Sequence, residues 1–144
     1  MKILVLNGPN INMLGIREPG IYGKSTFADL LTLLEQTAAV EGIEIEQFQS
    51  NHEGCLVDKI QAAWGVFDGI VINPAAYTHT SIAILDALKA VAIPAVEIHI
   101  SDVKQREDFR QISYAGKACI HTVMGQGLDG YRQAMVFLKN YLEK

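Results

Sequence analysis

The side chains best suited to proton transfer in this sequence are its four histidines, at positions 52, 79, 99 and 121. None lies three or four residues from another, so a metal site would need ligands from separate loops. Glu97 and His99 stand out because residues two apart on a strand share a face, where a carboxylate can orient an imidazole and keep it basic. The pair predicts acid–base chemistry, although a structural pair has the same spacing. His121 falls inside a predicted strand and is interpreted as an interior histidine with hydrogen-bond partners.

A long loop at residues 8–25, GPNINMLGIREPGIYGKS, carries Arg17 and Tyr22. Loops of this length in compact domains are usually functional or disordered, and the glycines at 15, 20 and 23 suit a lid that hinges over a site. A surface loop with a solvated arginine and a packed tyrosine fits the same spacing. The GKST run at 23–26 does not predict a phosphate-binding loop, because that motif needs glycine where Glu18 stands.

Apolar runs of strand length alternate with helical patterns along the whole chain, which is typical of βα units on a parallel sheet. We predict strands near Ile3–Asn7, Glu44–Gln49, Gly69–Asn73, Ala95–Ile100 and Ala118–Val123. Each is apolar enough to be covered on both faces. The pattern predicts an α/β fold, with a flavodoxin-like doubly wound sheet of five parallel strands, helices on both faces, and a single domain over residues 1–144.

The helices are predicted from apolar residues at helical spacing. They lie at Thr26–Val40, Leu56–Trp64, Ser81–Val91 and Gly130–Leu142, with a short one around Lys104–Arg110. Thr26 and Asp29 have the spacing of a capping box at the start of the first helix. In a doubly wound sheet, ligands bind outside the carboxyl ends of the strands. Polar residues follow the strands at 7–10, 50–53, 73–79 and 99–101, so we expect the site there.

The composition excludes several classes of function. The formal net charge is −4, whereas nucleic-acid binding needs a basic face, so an anionic ligand would need local arginines. No apolar run approaches the roughly 20 residues that cross a bilayer, and the first apolar segment is too short for a signal peptide. We expect a cytoplasmic protein with no membrane partner. Cys55 and Cys119 are far apart and are interpreted as reduced and structural.

Five segments, in order, resemble the motifs of type II 3-dehydroquinate dehydratases over nearly the whole chain. They are NGPNINMLGIREPGIYG, SNHEG, NPAAYTHTS, EIHIS and REDFRQISYAG. The departures are small: the family commonly has glycine where Ala75 stands, asparagine where Asp102 stands, and an acidic residue near Cys55. None removes a catalytic group. The Ala75 difference is expected to tighten the pocket and to affect affinity.

The resemblance implies a lyase that reversibly converts 3-dehydroquinate to 3-dehydroshikimate, by anti elimination through an enolate, in the shikimate pathway of aromatic amino acid biosynthesis. It implies no cofactor and no metal, and it implies a homo-oligomer, a dodecamer built from trimers. Tyr22 corresponds to the family's proton-abstracting base and His99 to the acid that protonates the leaving hydroxyl. Arg17 corresponds to the lid arginine, and Asn10 to the residue that holds the enolate through a water.

The remaining candidates position the substrate or the acid. Glu97 joins the catalytic set as the partner of His99. Asp86 corresponds to a residue that reaches a neighbouring subunit's site. The substrate-binding residues implied are Asn73, His79, Ile100, Ser101 and Arg110.

Binding modules with the same fold are the alternatives. A phospho-acceptor receiver needs carboxylates after the first and third strands, where this chain has Asn7 and Asn73. An FMN module needs a phosphate loop rich in serine and threonine, where this chain has GPNINMLG. An inactive scaffold with the same shell is a further possibility, since fold alone does not determine function.

Overall fold

The protein forms a five-stranded parallel sheet with the order β2-β1-β3-β4-β5. The structure is a computed structural model that describes residues 1–16 and 18–144, and only the backbone of Tyr22. The strands are β1 (Lys2–Asn7), β2 (Glu44–Gln49), β3 (Gly69–Asn73), β4 (Ala95–His99) and β5 (His121–Met124). The order in which strands are added reverses at β1: β2 lies on one side of it, and β3, β4 and β5 follow on the other side, as in flavodoxin-like folds.

Helices cover both faces of the sheet. They are α1 (Pro19–Tyr22), α2 (Phe27–Glu41), α3 (Glu53–Ala62), α4 (Ile82–Val91) and α5 (Asp129–Leu142). Side chains alternate along β1, so Ile3 and Val5 pack in the core beneath α2 and α5, while Leu4 and Leu6 pack in the core beneath α3 and α4. No helix within the described residues is both long and apolar enough to span a bilayer.

The local signals in the sequence account for the helix starts. The Thr26 hydroxyl accepts from the Asp29 backbone N–H at 3.1 Å, and the Asp29 carboxylate accepts from the Thr26 N–H at 2.9 Å, which confirms the predicted capping box. Ser81 caps α4 by accepting from the Ile84 N–H at 2.9 Å. Such caps stabilise a helix by about 1 kcal/mol each, because they satisfy N–H groups that have no partner within the helix.

Most predicted elements are confirmed to within a few residues, and three are corrected. The last strand begins at His121 rather than Ala118, because Ala115–Ala118 forms a turn of 3-10 helix. The single short helix expected around Lys104–Arg110 is instead two 3-10 turns, Val103–Gln105 and Asp108–Arg110. The long loop at 8–25 contains a 3-10 turn and α1.

The interpretation of His121 as an interior residue is wrong. It lies on β5, which is an edge strand, and its exposed ring stacks on Phe137 with centroids 4.1 Å apart. The cysteines are both free, but Cys55 is exposed and so has no structural role in the core. Cys119 is more buried, and burial raises the pKa of its thiol to about 12.

The loops after β1 and β3 lie very close together. Asn7 and Asn73 are partners in the register of the two strands, and the Gly8 N–H donates to the Asn73 carbonyl at 2.8 Å. A Cβ atom on Gly8 would lie 2.4 Å from the Pro74 carbonyl oxygen, so this position accepts only glycine without a shift of the backbone.

Candidate active site

A cleft lies beyond the carboxyl ends of β1, β3 and β4, at the point where the chain reverses across the sheet. The space between its walls is about 620 Å³, a volume that includes space open to solvent. Its apolar lining includes Ile11, Leu14 and Val103. Its polar lining residues are Asn10, Asn73, His79, His99, Ser101, Arg106 and Arg110.

Behind the wall of the cleft, where His99 lines it, lies a hydrogen-bonded group that we call the carboxylate cluster, made of Glu97, His99, Thr78, Ser113 and Thr122. Glu97 is 1% exposed and His99 is 6% exposed, so both lie at the wall rather than in solvent. His99 Nε2 donates to Glu97 Oε1 at 3.2 Å, and Thr122 Oγ1 donates to the same oxygen at 3.5 Å. The Thr78 hydroxyl donates to Glu97 Oε2 at 3.0 Å, and the Ser113 hydroxyl donates to that oxygen in a short hydrogen bond.

These donors keep Glu97 ionised although it is buried. Burial raises the pKa of Glu97, but the hydrogen bond and charge of His99, with the bonds from Ser113 and Thr78, outweigh burial and hold that pKa below its ordinary value. An anionic Glu97 accepts this hydrogen bond and so fixes the orientation of the His99 imidazole. The other ring nitrogen of His99, Nδ1, is then the one available to the cleft.

Asn73 forms the floor of the cleft and is 3% exposed. Its Oδ1 accepts from the Ala75 N–H at 3.1 Å, and its Nδ2 donates to the Tyr131 hydroxyl at 2.8 Å. Ala75 lines the cleft with φ at 54°, in the left-handed region that favours glycine. The resemblance predicted that Ala75 borders the pocket, and this position is confirmed, while its effect on affinity stays a prediction.

His79 faces the cleft as a neutral ring. Its Nδ1 donates to the Ile112 carbonyl oxygen at 2.7 Å, which leaves Nε2 as a hydrogen-bond acceptor. Burial lowers the pKa of His79 and outweighs the hydrogen bond to Ile112, while the positive charges of His99 and Arg110 lower it further. A neutral imidazole at pH 7 suits the recognition of a hydroxyl group.

Two arginines supply positive charge to the cleft. Arg110 Nε donates to Glu107 Oε2 at 2.8 Å, and Arg106 Nε lies 3.5 Å from Glu107 Oε1. A terminal nitrogen of Arg106 donates to the Ser101 hydroxyl oxygen at 3.4 Å. These cations concentrate positive charge where a chain with net charge −4 could bind an anion.

Asn10 borders the cleft on the side of the loop at 8–25. Its backbone is left-handed, with φ at 69°, and its N–H donates to Asn51 Oδ1 at 3.0 Å. Gln49 Nε2 donates to the Gly8 carbonyl at 3.1 Å and to Asn51 Oδ1 at 3.2 Å. The Tyr77 hydroxyl donates to the Asn51 carbonyl at 2.8 Å. The loop after β1 is thus anchored by Gln49 at the end of β2 and by Asn51 just after it.

The cleft brings together most of the residues singled out in the sequence. It is lined by Asn10, Asn73, His79, His99, Ile100, Ser101 and Arg110, with Glu97 directly behind His99. Asp86 is exposed on α4 and does not line this cleft. Arg17 and the side chain of Tyr22 lie outside the described residues. The backbone of Tyr22 ends α1, and its neighbours Ile21 and Gly23 border a second hollow that shares Ile100 and Ser101 with the cleft.

Several contributors were not predicted from the sequence. Arg106 lines the cleft, but nothing in the sequence distinguishes it from other charged residues of a polar loop. Ser113 and Tyr131 act from distant parts of the chain. Among the described residues, no group of three or more His, Cys, Asp or Glu side chains is arranged to hold a metal ion.

Comparison with known proteins gives one consistent family. The family model described as Dehydroquinase class II matches residues 1–139. The chain is 56% identical to a 3-dehydroquinate dehydratase of Geotalea daltonii over 144 residues, which are all of both chains. The crystal structure of a type II dehydroquinase from Butyrivibrio crossotus superposes with a TM-score of 0.95 at 51% identity, covering 96% of this chain and 97% of the other. That of Propionibacterium acnes gives 0.90 at 39% identity, covering 99% and 97%.

Proposed function

The chain belongs to the class II dehydroquinase family, and from that premise we propose that it dehydrates 3-dehydroquinate to 3-dehydroshikimate in the shikimate pathway. The proposed route is an anti elimination through an enolate, with Tyr22 as the base and His99 as the acid. The observation that carries the proposal is the buried Glu97–His99 pair at the wall of a cleft that arginines also line. Expulsion of a hydroxyl group at neutral pH requires a proton donor, and a histidine oriented by a carboxylate is suited to that task.

The electrons and protons balance without a further reactant. The phenolate of Tyr22 removes a proton from the carbon next to the ketone, and the electron pair moves onto the ketone oxygen to form the enolate. The enolate then re-forms the ketone and makes the new carbon–carbon double bond, while the bond to the hydroxyl group breaks. His99 gives its proton to the departing oxygen, so water leaves. Proton exchange with solvent returns Tyr22 to the phenolate and His99 to the protonated form.

The base needs help, because a free tyrosine titrates near 10 and only about one molecule in a thousand is phenolate at pH 7. A guanidinium about 4 Å away, at an effective dielectric near 20, contributes roughly 4 kcal/mol, which equals about three pKa units. Arg17, which we assign to this task, lies five residues before Tyr22 in the sequence. Closure of the loop over the substrate would exclude water and strengthen this interaction.

The substrate is an anion with several hydroxyl groups, and the cleft offers partners of matching chemistry. Arg106 and Arg110 supply positive charge for the carboxylate. The Ser101 hydroxyl and the backbone groups of Ile100 and Ser101 supply hydrogen bonds. Asn73 presents a fixed amide, and His79 presents an acceptor nitrogen. Asn10, at the opposite wall, holds the enolate oxygen through a water.

Assembly is part of the proposal, because Asp86 is assigned to the site of a neighbouring subunit in a dodecamer built from trimers. Its exposure on α4, away from its own cleft, supports this assignment. Light scattering should give twelve times the chain mass of 15.8 kDa. Mixing Asp86→Ala protein with His99→Asn protein and reassembling the subunits should restore some activity if sites are shared. Mixtures with no more activity than their parents would contradict the shared site.

The reaction is tested by the ultraviolet absorbance of the conjugated enone product. Purified protein and 3-dehydroquinate should produce this absorbance equally well with and without a chelator, because no step uses a metal. An absence of product at high enzyme concentration would refute the activity. A loss of activity on chelation that added metal restores would refute the metal-free route.

Tyr22→Phe tests the base. We expect kcat to fall by roughly 10³-fold with KM little changed, because a positioned general base contributes about 10²- to 10⁴-fold. Arg17→Lys should also lose activity, since an ammonium group is a poor copy of a planar guanidinium. Tyr141→Phe, on the exposed side of α5, is the matched control and should retain full activity. Near-normal turnover in Tyr22→Phe would sink the assignment.

A further inference from the structure

A buried tyrosine that does not line the cleft connects directly to the cleft floor. Tyr131 lies in the first turn of α5 and is 0% exposed, among the largest fully buried side chains in the protein. Its hydroxyl donates to Asn7 Oδ1 at 2.6 Å and accepts from Asn73 Nδ2 at 2.8 Å. It therefore joins the carboxyl ends of β1 and β3, where the chain reverses across the sheet.

These bonds belong to a longer series that we call the amide chain, made of the Ala75 N–H, Asn73, Tyr131, Asn7 and Gln47. The Ala75 N–H donates to Asn73 Oδ1 at 3.1 Å, and Asn73 Nδ2 donates to the Tyr131 oxygen. Tyr131 then donates to Asn7 Oδ1, and Asn7 Nδ2 donates to Gln47 Oε1 at 3.1 Å. Every donor points in the same direction, from the cleft across β1 to β2, and aligned hydrogen bonds of this kind strengthen one another.

The alignment determines which end of the Asn73 amide faces each partner. An isolated asparagine amide can turn over and exchange its oxygen and nitrogen at little cost. Asn73 cannot do so here, because its oxygen must accept from the Ala75 N–H while its nitrogen donates to Tyr131. Asn73 lines the cleft, so the remaining hydrogen and lone pair of the amide are presented to a ligand in one arrangement only.

Tyr131 is suited to this task because it stays a neutral hydroxyl. Complete burial raises its pKa well above the ordinary value for tyrosine, and the hydrogen bond from Asn73 only partly opposes this. It remains both donor and acceptor over the pH range in which an enzyme works. Phenylalanine at this position would fill the same space but leave Asn7 Oδ1 and Asn73 Nδ2 without their partner.

We propose that Tyr131 is a positioning residue for substrate, which orients the Asn73 amide through the amide chain without touching the substrate itself. The inference rests on the proposed function, because it concerns how the same cleft holds 3-dehydroquinate. Its specific claim is that the hydroxyl of Tyr131 acts on substrate affinity and acts through Asn73 alone.

The test is a double-mutant cycle with Tyr131→Phe and Asn73→Ala, measured by steady-state kinetics on the assembled enzyme. Tyr131→Phe should raise KM roughly fivefold with kcat within about twofold, since one hydrogen bond corresponds to two- to tenfold in affinity. In the Asn73→Ala background the same change should leave KM as it is, because the group it acts through is gone. Tyr141→Phe, which is on the same helix but 46% exposed, is the matched control.

The outcomes separate the two proposals. A wild-type protein that does not turn over 3-dehydroquinate refutes the proposed function. An active wild type whose Tyr131→Phe variant has an unchanged KM, or whose effects multiply with those of Asn73→Ala, refutes only the positioning role. If Tyr131→Phe does not fold, Gln47→Met at the partly exposed far end of the amide chain decides. A KM rise of about twofold there supports the proposal, and an unchanged KM overturns it.

Discussion

The carboxylate cluster and the amide chain lie at the same edge of the sheet, but one is charged and the other is neutral. Glu97 carries a negative charge in the interior and is satisfied by hydroxyls and an imidazole. Tyr131 and its amide partners carry no charge at any pH near neutrality. On the proposed mechanism the two groups divide the work: the charged group governs proton transfer and the neutral group governs the geometry of binding. Variants of the first should therefore change kcat and its pH dependence, whereas variants of the second should change KM alone.

The largest effect is expected where the carboxylate cluster reaches the cleft. His99→Asn removes the proposed acid and should lower kcat by roughly 10²- to 10⁴-fold, with KM changed little by comparison. His121→Asn, on the exposed edge strand, is the matched control and should retain wild-type kinetics. Steady-state assays of both variants decide the point. A His99→Asn enzyme with more than a tenth of wild-type kcat would break the comparison at its first step.

Glu97→Gln should have the next largest effect, because it keeps the shape of the cluster and removes its charge. The hydrogen bond from a charged partner is worth about 1.5–3 kcal/mol, so kcat should fall roughly 10- to 100-fold.

The same variant has a signature in stability. Since the fold lowers the pKa of Glu97 below its ordinary 4.5, ionised Glu97 stabilises the protein above that pH, and this contribution is lost as pH falls through the lowered pKa. Urea unfolding should show a smaller loss of stability on acidification for Glu97→Gln than for the wild type. Parallel curves for the two proteins would contradict the charged state of Glu97.

Ser113→Ala should give a smaller change that is specific to pH. The Ser113 oxygen accepts from the Gly116 N–H at 2.9 Å, so its proton is directed to Glu97. Losing this donor should raise the pKa of Glu97, so the loss of stability on acidification, measured by urea unfolding, should begin at a higher pH than in the wild type. Thr122→Val, which removes a longer contact of 3.5 Å, should shift this onset less. The same pH dependence of stability in Ser113→Ala and in the wild type would contradict this role of Ser113.

The smallest effect is expected at Ala75, at the cleft end of the amide chain. Ala75 and Ala92 share a φ of 54°, so glycine at either position should raise the free energy of unfolding by roughly 0.5–1 kcal/mol. Only Ala75→Gly should also raise KM, by about twofold. Glycine makes the backbone at residue 75 more flexible, which weakens the hydrogen bond from its N–H to Asn73 Oδ1. Chemical denaturation and kinetics on both variants measure this. Equal KM values in the two variants would show that the backbone at Ala75 does not influence binding.

The sequence was informative wherever a local pattern carried the structure. The capping box at Thr26 and Asp29, the apolar runs of β1 and β3, and the two-residue spacing of Glu97 and His99 all depend on neighbours in the chain. These patterns were enough to predict the sheet, the edge that holds the site and most of its lining. The resemblance to a known family then named the substrate-binding residues.

The sequence could not reveal features that depend on tertiary contacts. Tyr131 bonds Asn7 across 124 positions of the chain. No local pattern shows that the hydroxyl of a helical tyrosine will have a hydrogen-bond partner on a distant strand. His121 lies in an apolar run that predicts burial, but β5 is at the edge of the sheet, and edge position follows only from the complete strand order. Ser113 bonds Glu97 across 16 positions of the chain, and its oxygen also accepts from the Gly116 N–H in the 3-10 turn Ala115–Ala118, contacts that only the folded chain reveals.

Gly8 sets a dimension of the binding site by what it lacks. Its N–H contacts the Asn73 carbonyl at 2.8 Å, and the Pro74 oxygen occupies the space of a side chain. The two walls that carry Asn10 and Asn73 are therefore spaced by bare peptide, and even one methyl group would act as a wedge between them. The width of the cleft between these two walls therefore depends on Gly8 having a hydrogen atom in place of a side chain.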